Sequence, residues 1–137
     1  MHRSPLRLTL ALLYLSALLI LALLPGPRSG VQAYNLVPLQ SIAADLQRGG
    51  LPLLINLLGN IVAFMPVGLL LGAGVRRRGW LLVAGCGLAL SALIETLQAL
   101  LTSRVSDIDD LLLNTLGALL GYSLYHALRQ VRRSRTI

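Results

Sequence analysis

Four apolar runs, at about 8–24, 53–75, 80–101 and 111–128, leave this chain few ways to fold. Each is about 17 residues or longer, enough at ~1.5 Å rise per residue to cross the hydrocarbon of a bilayer. Hydrophobic residues make up 55% of the 137, and too few polar ones remain to coat a soluble core. The expected class is therefore all-α: a polytopic membrane protein, 1–137 forming one domain of four transmembrane helices with no soluble module. The first run resembles a secretory signal, since Arg3 and Arg7 precede it and "VQA" ends at Ala33. It exceeds the ~7–15 apolar residues of a signal core, and the two-proline stretch 25–33 separates it from that site, so an uncleaved span is expected.

Charge sets the expected orientation. All 12 basic residues are arginines. They fall before the first run (Arg3, Arg7), between the second and third (Arg76, Arg77, Arg78) and after the fourth (Arg129, Arg132, Arg133, Arg135). Only Arg28, Arg48 and Arg104 occupy the other two loops. Positive residues stay cytoplasmic, which puts both termini and the 76–79 turn inside and the loops at 25–52 and 102–110 outside. The expected setting is a cytoplasmic membrane, crossed with both termini inside. The basic tail has no aromatics between its arginines and follows a membrane exit, so lipid contact accounts for it and nucleic acid is not an expected partner.

The single cysteine, Cys86, excludes an internal disulfide, and its small-residue surroundings, "AGCGLALSA", mark it as a packing residue. His2 and His126 lie near opposite ends, which argues against shared metal ligation; no cofactor or metal is expected. In the long 25–52 loop, "LQSIAADLQ" has helix-forming composition with Leu39, Ile42, Ala43 and Leu46 at helical spacing. A short amphipathic helix on the outer surface fits it. Pro66 interrupts the second run and frees the carbonyl near Val62, which must then find another partner. Gly68 with Gly72, and Gly117 with Gly121, are small-xxx-small pairs that let helix backbones approach closely. A faint echo between "LLINLLG" and "LLLNTLG" (starting at Leu53 and Leu111) raises the idea of a duplicated two-helix unit.

Polar residues within the runs are few: Asn56, Asn60, Glu95, Gln98 and Asn114, with Asp107, Asp109 and Asp110 at an edge. Helix rise places Asn60 ~10 Å, Glu95 ~9 Å and Asn114 ~6 Å from the outer ends of their helices. Three helices thus bring polar groups to one level. A buried carboxylate costs several kcal/mol unless satisfied, so Glu95 is expected to face the bundle interior. Blander roles compete. Ser106 with Asp109 matches a capping pattern, and asparagines can simply join helices.

Together these residues resemble the VanZ-like family of small bacterial membrane proteins. The matching stretches are "NLVP" at 35–38, "NIVAFMPVG" at 60–68, "IETLQ" around Glu95 and Gln98, and "RVSDIDDLLLNTLGALLGY" at 104–122. Leu39 departs from the pattern, since the family commonly carries Phe after that proline. The resemblance implies an integral membrane protein linked, in its name-giving member, to low-level resistance to teicoplanin and related lipoglycopeptides. On this reading Asn35, Asn60, Glu95, Gln98, Arg104, Asp107, Asp110 and Asn114 line an outward-facing polar pocket. Its partner would be a lipid-linked envelope intermediate or a lipoglycopeptide, with the bilayer around it. Two rivals are an enzyme holding Mg²⁺ on Asp107, Asp109 and Asp110 beside a lipid phosphate, and a small exporter exchanging protons at Glu95. No nucleophile–base pair is evident in the sequence, which tilts the reading away from an enzyme.

Overall fold

The computed structural model describes residues 5–24, 34–102 and 106–134. Five helices follow in order: α1 (Pro5–Ala22), α2 (Gln40–Arg48), α3 (Gly50–Gly72), α4 (Trp80–Leu101) and α5 (Ile108–Ser134). Two short strands, β1 (Tyr34–Asn35) and β2 (Ser106–Asp107), precede α2 and α5. They pair in parallel with Tyr34 opposite Ser106 and Asn35 opposite Asp107. Leu53–Gly72, Trp80–Leu101 and Ile108–Ser134 are long and apolar enough to cross a membrane. The first apolar helix, Leu8–Ala22, falls short of that length.

Helices α3 and α5 meet backbone to backbone, for the reason the glycine spacing predicts. A Cβ added at Gly68 would lie 1.8 Å from the Ala118 carbonyl oxygen, and one at Gly121 would lie 1.9 Å from that of Met65. At Gly117 the corresponding distance to the Ile61 oxygen is 2.2 Å. Gly72 instead faces the Tyr125 ring, where an added Cβ would sit 2.9 Å away. Helix α4 joins this pair through Gly87, which packs on the Ala118 methyl, and through buried Val83 beside Ala118 and Tyr122. Helix α1 closes the other side. Its Leu18 packs with Phe64, Val67 and Ile94, and its Tyr14 hydroxyl donates to the Ala63 carbonyl of α3. Pro66 lies inside α3, and the Tyr14 bond falls one residue from the carbonyl expected to be freed.

Three expectations need correction. Cys86 is exposed, because the buried stripe of α4 runs through Val83, Gly87, Ser91, Ile94, Glu95 and Gln98 and leaves position 86 on the outer face. Tyr122, near the end of its apolar run where aromatics tend to sit at the membrane interface, is instead buried, and its hydroxyl donates to the Arg76 carbonyl at 2.7 Å. The echoed segments also sit in opposite surroundings: Gly59 faces open space while its counterpart Gly117 is jammed against α3. Asn56 is exposed and Asn114 buried, so nothing in the packing supports a duplicated unit.

Entry into α2 is strained. Leu39 has φ 65° and ψ 6°, the left-handed region, and no side chain of its own caps the helix. A non-glycine residue there costs roughly 1–2 kcal/mol, and Leu39, 59% exposed, recovers little by burial. Leu39→Gly is expected to raise thermal stability, by on the order of 0.5–1 kcal/mol once the added freedom of the unfolded chain is deducted. Leu39→Ala keeps the strain and gains nothing. Melting of the two variants side by side in detergent checks this.

Candidate functional site

The five carboxylates and the four asparagines of the chain are gathered toward one end of the bundle, where β1, α2 and the starts of α3 and α5 meet the end of α4. Asp109 sits at the centre, 1% exposed. Its Oδ1 accepts the Leu39 N–H at 2.5 Å, and its Oδ2 accepts those of Ser41 and Ile42 at 3.0 and 3.1 Å. The Ser41 and Ile42 amides belong to the first turn of α2, where no intrahelical partner exists and the helix dipole favours negative charge. The capping expected of Asp109 is therefore real, but the helix it caps is α2, which lies far upstream in sequence.

The cap of α5 itself is Asp107, whose Oδ1 accepts the Asp109 N–H at 2.9 Å. The same carboxylate accepts from the Ser41 hydroxyl and, at 3.3 Å, from Asn35 Nδ2. Asn35 Nδ2 also donates to Ser41 Oγ at 2.8 Å, and Asn35 Oδ1 takes the Val37 N–H at 3.3 Å in an Asx turn. Glu95 is buried and turned inward as its cost in hydrocarbon requires. Its Oε2 accepts the Asp107 N–H at 3.0 Å, and its backbone carbonyl accepts Ser106 Oγ at 2.7 Å. Thus Ser106, read as half of a cap, serves instead to tie β2 to α4.

The other candidates form separate pairs. Asn60 Nδ2 donates to Asp110 Oδ1 at 2.5 Å, joining α3 to α5. Asn114 Nδ2 donates to Ser91 Oγ at 2.9 Å, joining α5 to α4, while Asn114 Oδ1 is buried without a partner among the described residues. Gln98 Nε2 donates to the Ala22 carbonyl at 2.7 Å, which satisfies the end of α1. Arg104 lies outside the described residues. The carboxylates of Asp107, Asp109 and Asp110 turn to three different sets of donors, an arrangement unlike the convergent oxygens of a Mg²⁺ site. Glu95 is likewise committed to β2, which is poor geometry for a carboxylate that must exchange protons with a passing substrate.

Beside this network opens a cleft of about 330 Å³, lined by Asn35, Gln40, Ser41, Ala44, Asp45, Arg48 and Asn56. Asp45 is buried, accepts Asn56 Nδ2 at 2.6 Å, and lies 3.5 Å from Arg48 Nη1. Of the sequence-derived candidates only Asn35 lines the cleft. Ser41, Asp45 and Arg48 leave no trace in the apolar spacing of α2. Their own spacing of four and three residues marks a polar stripe on that helix, and it is this stripe that turns toward the bundle and the cleft.

The chain matches the VanZ/LLP1 family over residues 11–129. It is 35% identical over 70 residues to Protein VanZ of Enterococcus faecium, a stretch covering 51% of this chain and 44% of that protein. It thus aligns with less than half the length of that relative. No solved structure matches the chain significantly. With three membrane-length helices and a family match that runs from within α1 to the last turns of α5, the chain is a membrane protein and belongs to the VanZ/LLP1 family.

Proposed function

We propose that this protein is a four-span protein of the bacterial inner membrane that binds the polar head of an envelope amphiphile at its outer face. The amphiphile is a lipid-linked envelope intermediate or a lipoglycopeptide of the teicoplanin type. One observation carries the reading. Acidic and amide side chains from β1, α2, α3, α4 and α5 collect at one end of the bundle, and a cleft of about 330 Å³ opens there. Scattered asparagines would suffice to join helices, whereas this end holds all five acidic residues of the chain.

Two further points support it. Arg76, Arg77 and Arg78, with Arg129, Arg132 and Arg133, lie at the opposite end of α3, α4 and α5, so the positive-inside rule turns the α2 end outward. Helix α1, with 18 residues, spans ~27 Å by helix rise, and bilayer thinning accommodates its shortfall from ~30 Å of hydrocarbon.

The test is binding of teicoplanin, and of the same glycopeptide without its acyl chain, to the purified protein in nanodiscs. Resistance of expressing cells is read alongside. Asn35→Ala, Gln40→Ala and Asn56→Ala, at equal expression, are each expected to weaken binding by about 2- to 10-fold, the worth of one hydrogen bond from the cleft wall. Wild-type binding and resistance in all three would remove the site from consideration.

A further inference from the structure

The cleft contains a cation that the spans do not supply. Arg48 ends α2 with its side chain 73% exposed, and its ion-pair contact is the 3.5 Å approach to Asp45 three residues earlier. A guanidinium carries five N–H donors in a fixed fork, so most of them remain for another acceptor. Asp45 is met from two sides, by Arg48 and by Asn56 Nδ2. The other polar side chains of the lining, Asn35, Gln40, Ser41 and Asn56, are amides and a hydroxyl. Ser41 Oγ and Asn35 Nδ2 already donate to the Asp107 carboxylate and Asn56 Nδ2 to Asp45, which leaves Gln40 and the second amide hydrogen of Asn56 to meet an acceptor. The exposed guanidinium fork at the rim, with the Gln40 amide beside it, matches an oxyanion, which arginine grips through two parallel hydrogen bonds.

Just beyond the cleft the surface of α3 turns apolar. Gly59 follows Asn56 by three residues, and a Cβ there would meet nothing within 4 Å. Ile55 and Val62 flank it, both well exposed on that side of the helix. A small soluble anion would use the cleft and ignore this strip. A lipid uses both, because its head needs donors and its chain needs a hydrocarbon-facing groove.

We infer that the cleft seats the phosphodiester of a glycerophospholipid, gripped by Arg48, with an acyl chain lying along Ile55, Gly59 and Val62. The inference rests on the reading of this end as a head-group site and specifies the head. Asp45 acts as a positioning residue, holding the guanidinium at the rim while its remaining N–H groups face the phosphate.

Lipid titration of the full chain in detergent, read by native mass spectrometry, tests it with three probes. These are phosphatidylglycerol, a glucosyl-diacylglycerol with the same chains, and sn-glycerol 3-phosphate. Phosphatidylglycerol is expected to bind the wild type at least 10-fold more tightly than either other probe. Arg48→Gln is expected to weaken phosphatidylglycerol by about 10- to 100-fold. Arg48→Lys should fall between, since it keeps the charge and loses the fork. Gly59→Leu, which sets a bulky side chain on the strip between Ile55 and Val62, should weaken phosphatidylglycerol and leave sn-glycerol 3-phosphate unchanged. Equal phosphatidylglycerol binding by wild type and Arg48→Gln overturns the inference, as does sn-glycerol 3-phosphate binding as tightly as the lipid. Tight binding of the glucosyl lipid that ignores Arg48 overturns it too, while leaving the broader head-group reading in place.

Discussion

Gly121→Ala is expected to unfold the α3–α5 pair or to leave so little of it that no monodisperse protein survives extraction into detergent. The added methyl would lie 1.9 Å from the Met65 carbonyl oxygen and 2.7 Å from its carbon. Both are backbone atoms, so no rotamer change relieves the clash. Relaxed carbon–oxygen contacts run at about 3.3–3.6 Å, so the two helices must part by more than an ångström. Parting them also loosens the neighbouring close approaches at Gly117 and Gly68 and stretches the Asn60–Asp110 hydrogen bond. Within a membrane the hydrophobic effect does not press helices together, and packing carries the association. The loss is expected at about 3 kcal/mol or above, beyond ordinary overpacking. Gly85→Ala is the matched control, since its new methyl would meet nothing within 4 Å. Thermal unfolding of the two variants in the same detergent should separate them widely; equal melting would show that the α3–α5 approach is looser than described.

Removing the carboxylate of Asp109 should produce the second large effect. Asp109→Ala leaves the amides of Leu39, Ser41 and Ile42 without their acceptor at a site closed to solvent. Asp109→Asn is expected to do little better. One of the two oxygens becomes an NH₂ that confronts N–H donors. Breaking a buried charged arrangement of this kind costs about 3–5 kcal/mol. The loss should fall mainly on α2, because α3 and α5 keep their glycine contacts. Hydrogen exchange provides the readout. Exchange at Ser41 and Ile42 is expected to accelerate by on the order of 100-fold or more, while amides in the middle of α5 keep wild-type rates. Unchanged exchange at Ser41 and Ile42 would show that α2 holds its place by other means. Uniform acceleration through α5 would place Asp109 in the bundle's global stability instead.

The helices and their contacts were legible to different degrees, for reasons visible in particular residues. Trp80–Leu101 is bounded as expected, because Gly79 and the arginines mark one end and Thr102 the other. The glycines at 68, 117 and 121 were legible because a residue without a side chain in a leucine-rich helix has few uses besides close approach. The burial of Glu95 followed from its cost in hydrocarbon. The partners were not legible. Nothing local indicates that Asp109 serves amides in α2, or that Gln98 answers the end of α1, since hydrogen bonds between distant segments leave no periodic trace. Asn60 and Asp110 show the intermediate case, where depth within each helix matched the two residues in height but could not pair them. Cys86 was misread because a run of small residues was treated as uniformly buried, whereas a helix turning 100° per residue buries only one side of it.

Because chains are made from the amino end, the cap of α2 does not exist when α2 is made. Leu39, Ser41 and Ile42 leave the ribosome almost seventy residues ahead of the aspartate that receives them, and β1 waits equally long for β2. Until α5 is inserted, α2 has a left-handed entry without the bonds that offset its strain. The α2 end is therefore completed only once the start of α5 has been made. A chain stalled before Asp109 carries three of its four apolar runs and leaves the first turn of α2 without its acceptor.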